Sequence, residues 1–413
     1  MEKKNFFSGM MGGDNWLWGI YLILFFISIV EIASASSRLA YQQVTNDNPL
    51  MRHTMFLVVG FFCLVLTLQT LSSIRTSYVT GLGALAYVGG VILMCLLPIF
   101  GRRVNGASRD IFGIQPVEFC KVGLIIMLCA TLTAKNEVFT RFSFFRTKTE
   151  SRRYWFLLIM IGLVVAPIAL QNLSTALILG IVSLAIMFIA KVRASYLLKT
   201  IGALSVAAAI FLAMLFMLHK FNESNETAGN AHHTELGLFD RANTWEHRIF
   251  DNRNDVPLWQ QSINDENRQE MCAHMAIANS NVVGRFIGES QMRDHLPEAY
   301  SDYIYAIIFE EMGVEGAAIV MLLYFILLWR CYRLSLKTTD PLKRLLMISI
   351  PLLIVVQALI HMGVCTDAMF VTGQPLPLIS RGGMSILATS ACFGILFGLS
   401  HSILKEEAAR NQQ

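Results

Sequence analysis

The chain has 413 residues, of which 54% are apolar and only 15% charged. Soluble domains carry about 25% charged residues, so a typical water-soluble enzyme, a disordered chain and a coiled coil are excluded. A polytopic membrane protein is indicated, and the net charge of +4 is too small and too dispersed for nucleic-acid binding.

A bilayer core takes about 20 mostly apolar residues per helix. Ten stretches meet that need: 16–35, 54–72, 77–100, 111–134, 154–170, 173–190, 197–218, 303–329, 345–365 and 384–404. The expected fold class is all-α, one integral membrane domain over 1–413 with about ten transmembrane helices. The first stretch lacks a convincing small-residue cleavage site, so it is expected to stay as a span. It contains Glu31, for which a structural or interfacial role is expected.

After the third span, Arg102, Arg103 and Arg109 cluster around Asn105 and Gly106. An anionic ligand is one reason for such a cluster, because guanidinium grips phosphate through two nitrogens. Pairing with acidic residues elsewhere is the other. The fourth span contains Glu118 and Lys121, three apart and so on one helix face. Charges inside a bilayer usually mark a site or a pathway; a structural ion pair between packed helices is the plainer reading. The fifth and sixth spans nearly fuse at Gln171-Asn172.

Residues 219–302 then form a long polar connection with seven Lys/Arg and fourteen Asp/Glu, a net charge of −7 against +11 for the remainder. Connections this long are usually functional. Within it, 258–280 mixes apolar and polar residues at helical spacing and is expected to lie along the membrane surface. Gly284 and Gly288 then break the chain. Asp302 closes the connection. From the residues alone a helix N-cap is the favoured reading, and such a cap contributes about 1 kcal/mol.

Glu310 and Glu311 follow about one and a half turns into the eighth span. Before the last span, TGQPLPLISRGG (372–383) carries two prolines and three glycines, with Asp367 before it and Arg381 inside it. This reads as irregular backbone at the membrane edge, tolerated only under cover of protein or around a water-filled cavity.

Lys and Arg set the orientation. With the N-terminus in the cytoplasm, inside segments hold nineteen and the short outside loops six. Both termini are therefore expected inside, and the 219–302 loop outside. Seven of the eight cysteines lie in or beside apolar segments, and only Cys272 lies in the long loop. No spacing suggests a disulfide framework or a Cys-bound metal.

Four blocks resemble the FtsW/RodA/SpoVE (SEDS) family. They are NGASRDIFGIQPVEFCK (105–121), STALIL (174–179), LPEAYSDYIYAIIFEEMGVEG (296–316) and GQPLPLISRGGMS (373–385), and they stand in the family order. The length and TWEHRI (244–249) look more like the cell-division branch than the elongation branch. Departures from the family pattern are Gln171-Asn172 before STALIL, Asp110 after Arg109, NVVGRFIG at 281–288, and Arg381 and Met384 in the last block.

The resemblance implies a peptidoglycan glycosyltransferase of the bacterial inner membrane that polymerises lipid II on its outer face. It implies Asp302 as the catalytic base. Arg102, Arg109, Glu118, Lys121, Pro297, Glu298 and Ser380 are the implied substrate-binding residues, and a divalent cation (Mg or Mn) would assist the diphosphate leaving group. Implied partners are membrane lipid, a class B penicillin-binding protein and other division proteins. A lipid II flippase and a scaffold for division proteins are the competing readings, since intramembrane charges and a broken helix also suit transport.

Overall fold

The computed structural model describes residues 12–36, 49–73, 77–104, 107–111, 113–134, 149–206, 213, 217, 263, 267–296, 299–369 and 372–412. The helices are α1 (Asn15–Ala35), α2 (Pro49–Ser73), α3 (Ser77–Phe100), α4 (Pro116–Thr133), α5 (Thr149–Gln171), α6 (Leu173–Ile189), α7 (Ala194–Val206), α8 (Arg268–Ala278), α9 (Ile304–Ser335), α10 (Pro341–Cys365) and α11 (Gly383–Asn411). A small hairpin joins β1 (Arg102–Val104) to β2 (Ala107–Asp110). Among the described residues, eight helices are long and apolar enough to cross a membrane, and α6 and α7 are shorter apolar helices. The protein is a polytopic, essentially all-helical membrane protein.

Two boundaries differ from expectation. The fourth span starts at Pro116, not at 111. Proline has no N–H to donate and suits a first helical turn, while Ile111 and Ile114 exchange backbone hydrogen bonds ahead of it. The seventh span begins earlier than expected, at Ala194, and beyond Val206 it lies largely outside the described residues. Gln171-Asn172 does separate two helices. Asn172 caps α6 by accepting from Thr175 N at 3.2 Å.

The chain divides into two compact units. The first holds residues 1–90, 117–134 and 263–413. Here α2 packs along α11, α9 along α10, and α1 against both α2 and α9. Trp18 stacks on Phe397 with ring centroids 4.4 Å apart, and Tyr21 meets Phe393 edge-on at 5.1 Å. Gly394 lets α11 approach closely, because a Cβ there would stand 2.8 Å from Leu64 O and strike Thr67. Small residues at such crossings are how helices pack where lipid supplies no hydrophobic drive. The outward residues Phe26, Phe62 and Leu85 are apolar and exposed, as a lipid-facing surface requires.

Polar clamps tie helix ends in this unit. Asp14 caps α1 through Trp16 N at 3.0 Å and Leu17 N at 3.3 Å. The same carboxylate takes two hydrogen bonds from Arg330 of α9, at 3.0 and 2.5 Å. Lys343 of α10 pairs with Glu406 of α11, and Lys337 with Glu407 at 2.9 Å. These pairs explain why α11 continues past its apolar part. Asp14→Ala removes a cap and strands Arg330, so a loss of about 3 kcal/mol or more in unfolding stability is expected from denaturation in detergent.

The second unit holds 91–116 and 135–262. Within it α5 packs on α6. Tyr154 of α5 stacks on Tyr196 of α7 at 4.6 Å, and its hydroxyl meets Thr200 at 3.0 Å. The hairpin register pairs Arg102 with Asp110 and Arg103 with Ser108, so Arg109 is the extra residue of a β-bulge.

Candidate functional site

Asp302 sits two residues ahead of α9, half-buried. The N-cap position belongs to Tyr303, one residue later, so the capping reading of Asp302 does not hold. The Asp302 carboxylate accepts from Ser301 Oγ at 3.2 Å. A Cβ on Gly373 would lie 3.6 Å from Asp302 Oδ2, so the 372–383 segment passes directly beside the carboxyl group. On the other side, Cys365 Sγ at the end of α10 lies 3.8 Å from Asp302 O.

The 372–383 segment is irregular, as its prolines and glycines demand, and it is fastened from several helices. Tyr324 Oη of α9 donates to Pro377 O at 2.6 Å, and Ser28 Oγ of α1 to Ile379 O at 3.1 Å. His361 Nδ1 of α10 is 2.7 Å from Gln374 O. Leu376, Leu378 and Ile379 are buried. This is the protein cover that broken backbone requires at membrane depth.

Two bonds join that segment to the Asp302 loop. Ser380 Oγ donates to Ser301 O at 2.7 Å and accepts from Leu376 N at 2.7 Å. Arg381 N donates to Tyr300 O at 2.8 Å, and the Arg381 guanidinium lies over the Tyr300 ring at 4.9 Å. Ser380 is 2% exposed with both hydrogen-bonding roles taken inside the protein, which makes it a strut beneath Asp302. Ser380→Ala leaves a buried amide and a buried carbonyl short of partners. A stability loss of about 1–3 kcal/mol is expected in denaturant titration.

The glutamates of α9 hold the 281–293 connection in place. The Glu310 carboxylate accepts from Ser290 Oγ at 2.5 Å, Gln291 N at 3.1 Å and Met292 N at 3.2 Å. Glu311 accepts from Ser34 Oγ of α1 and lies 3.8 Å from Arg293 Nη1, which donates to Ser34 Oγ at 2.9 Å. Glu31 is fully buried beside this group, and neither of its carboxylate oxygens has a hydrogen-bond partner. The helix breaks at Gly313, where φ is 70° and ψ −176°. The break frees the carbonyls of Glu310 and Glu311, which accept from Arg285 N at 3.0 Å and Phe286 N at 2.9 Å.

The remaining sequence candidates are dispersed. Glu118 and Lys121 pair at 2.7 Å on α4, 8% and 2% exposed, as their spacing allows. Arg102 and Arg109 lie on the hairpin of the second unit, and their side chains fall outside what the structure describes. Pro297 and Glu298 also lie outside the described residues.

Among the described residues, one group has metal-ligand composition: Glu270 and His274 of α8 with Asp367 after α10. Burial, then the facing Asp367 carboxylate, push the Glu270 carboxyl above its usual range. The sequence signal for two of these residues was their four-residue spacing on a helical pattern; nothing in it pointed to Asp367.

Residues 14–404 match the family model described as a cell cycle protein, that of FtsW, RodA and SpoVE. The chain belongs to the FtsW/RodA/SpoVE family. Among its relatives, a probable peptidoglycan glycosyltransferase FtsW of Enterococcus hirae is 28% identical over 410 residues, covering 95% of this chain and 94% of the relative. The Geobacter sulfurreducens protein of the same name is 26% identical, covering 90% and 91%. Among solved structures, a chain from a study of polymerization and crosslinking by a peptidoglycan synthase complex superposes with a TM-score of 0.66 at 21% identity, covering 95% of this chain and 98% of that one. RodA of Thermus thermophilus superposes at 0.60 with 20% identity, covering 94% and 97%. At such identities the superpositions establish a shared fold. The LPEAYSDYIYAIIFEEMGVEG block of the family is thus the turn bearing Asp302 and the kinked start of α9.

Proposed function

We propose that this chain is a peptidoglycan glycosyltransferase that polymerises lipid II during septal wall synthesis, with Asp302 as the general base. The family membership and the names of its relatives support the activity class. The observation that carries the residue assignment is the placement of Asp302. Its carboxylate stands at a helix start whose cap is another residue, on a loop braced by Ser380 and Arg381. Bracing of this kind holds a reacting group within the narrow geometry catalysis demands.

The chemistry follows from the substrate. The acceptor is a sugar hydroxyl, a weak nucleophile at neutral pH. A positioned carboxylate takes its proton as the new bond forms, which is worth about 10²–10⁴-fold. The donor leaves as a lipid diphosphate, and cations stabilise its developing charge. Lys121 is assigned to that task by its burial beside Glu118; Arg102 and Arg109 are assigned to it by their sequence block alone. A Mg or Mn ion, when bound, would supply further charge to the diphosphate. One direct displacement converts an α-linked donor into a β-linked product, so the enzyme is assigned as inverting. The catalytic face is outside the inner membrane, with both termini inside, on the Lys/Arg asymmetry. The partner is a class B penicillin-binding protein, in keeping with the synthase complex among the structural neighbours.

The test is to purify the chain with its transpeptidase partner, supply lipid II and Mg or Mn, and resolve the products on a glycan-strand gel. Glycan ladders are expected. No ladder, together with movement of a labelled lipid analogue across vesicles, would assign the chain to transport instead.

A further inference from the structure

Glu270 and His274 lie one turn apart on α8, so both side chains leave the same helix face. Asp367 reaches them from just past the end of α10. The ligand-capable atoms of all three lie within 4.8 Å of one another. Both ring nitrogens of His274 are closed off from solvent and have no hydrogen-bond partner in the protein. A buried polar atom left unpaired costs about 1–3 kcal/mol, so an imidazole with two such nitrogens calls for a ligand. The Glu270 and Asp367 carboxyl groups face each other within hydrogen-bonding reach, and among the described residues neither forms a salt bridge. Asp367 also holds a φ of 59°, a left-handed backbone uncommon for residues other than glycine, though aspartate is among those that adopt it most readily. Its turn is fixed by Asp367 N to Val364 O at 3.2 Å and Ala368 N to Gly363 O at 2.8 Å.

We propose that Glu270, His274 and Asp367 bind a divalent transition-metal ion of the zinc class, which clips α8 to the end of α10. One imidazole nitrogen and two carboxylate oxygens form a mixed set that suits zinc or manganese. Magnesium and calcium favour oxygen alone. Tetrahedral metal–ligand bonds of about 2.0–2.2 Å place ligand atoms about 3.3–3.6 Å apart, so side-chain movements of about 1 Å close the site. Three protein ligands leave a position open to water. The clip stands two residues from Cys365, whose sulfur touches the Asp302 backbone. Metal binding therefore stiffens the frame behind Asp302. The site stands on its own residues and does not depend on the polymerase assignment.

The test uses the full chain in detergent, stripped with EDTA and desalted, with zinc chloride as the probe in titration calorimetry. One equivalent is expected to bind, and zinc is expected to raise the melting temperature. Glu270→Gln, His274→Gln and Asp367→Gly should each weaken binding at least about tenfold and abolish the zinc-dependent shift. Cobalt loading should give a visible ligand-field band in the wild type that these variants lose. Asp367→Gly is the folding control, because glycine takes a φ of 59° without strain. In EDTA it should melt no lower than the wild type. Absence of zinc binding to the wild type would overturn the proposal, as would equal affinity in all four proteins, which marks an adventitious ion only. Magnesium binding at the same affinity would overturn the assignment to the zinc class.

Discussion

Asp302→Asn is expected to lower glycan polymerisation by about 10²–10⁴-fold while leaving the melting temperature nearly unchanged. The substitution keeps the size and shape of the side chain while removing its charge and its ability to take a proton. Ser301 Oγ, 3.2 Å from Asp302 Oδ1, can donate equally to an amide oxygen. Tyr303 holds the N-cap position of α9, so the change removes no cap from that helix. The braces from Ser380 and Arg381 reach the backbone of Ser301 and Tyr300, which the substitution does not touch. Asp302→Glu extends the carboxylate by one methylene and displaces it from its place beside the 372–383 segment, where a Cβ on Gly373 would lie 3.6 Å from Asp302 Oδ2. Partial activity is expected there, because a misplacement of about 1 Å costs about 10²-fold. Initial rates with labelled lipid II, alongside thermal melts of each variant, separate lost chemistry from lost folding.

Gly313→Ala is expected to destabilise the protein by about 3 kcal/mol or more. A φ of 70° with ψ of −176° is backbone that essentially only glycine adopts. An added Cβ would also stand 2.3 Å from Val282 O. The opposing residue is under the same constraint: a Cβ on Gly284 would lie 2.3 Å from Glu311 O. Because the two glycines share one contact, their effects should not add. Losing the kink also costs the bonds from Arg285 N and Phe286 N to the freed carbonyls. Faster hydrogen exchange at those two amides should accompany the fall in melting temperature. Gly162→Ala in α5 is the contrast. Nothing lies within 4 Å of a Cβ there, and alanine favours a helix by up to about 1 kcal/mol over glycine, so no loss is expected.

The membrane spans were legible because burial in lipid demands long apolar runs: among the described residues a helix lies in each of the ten stretches read from hydropathy, the seventh being described as a helix only to Val206. Their ends were less so. The 111–134 stretch included Ile111 and Ile114, whose apolar side chains look the same to hydropathy whether they stand in a bridge or in a helix. The irregular backbone of 372–383 was legible from Pro375, Pro377 and its glycines. Its fastening was not, because Tyr324, Ser28 and His361 come from three other helices. Asp302 read from its neighbours as a helix cap, and only the family resemblance singled it out as a base; that the cap position is Tyr303 needed the structure. Glu310 and Glu311 were visible as misplaced charges. That one gathers the 290–292 backbone while the other meets Ser34 is set by tertiary contacts. Asp367 lies too far along the chain from Glu270 and His274 for spacing to join them.

The most direct measurement pairs lipid II binding with lipid II turnover in the same preparations of wild type and Asp302→Asn, each with the transpeptidase partner. If Asp302 is the base, both proteins bind lipid II with similar affinity, and only the wild type yields glycan strands. Strands formed by Asp302→Asn at the wild-type rate would contradict the assignment and leave the carboxylate as part of the frame.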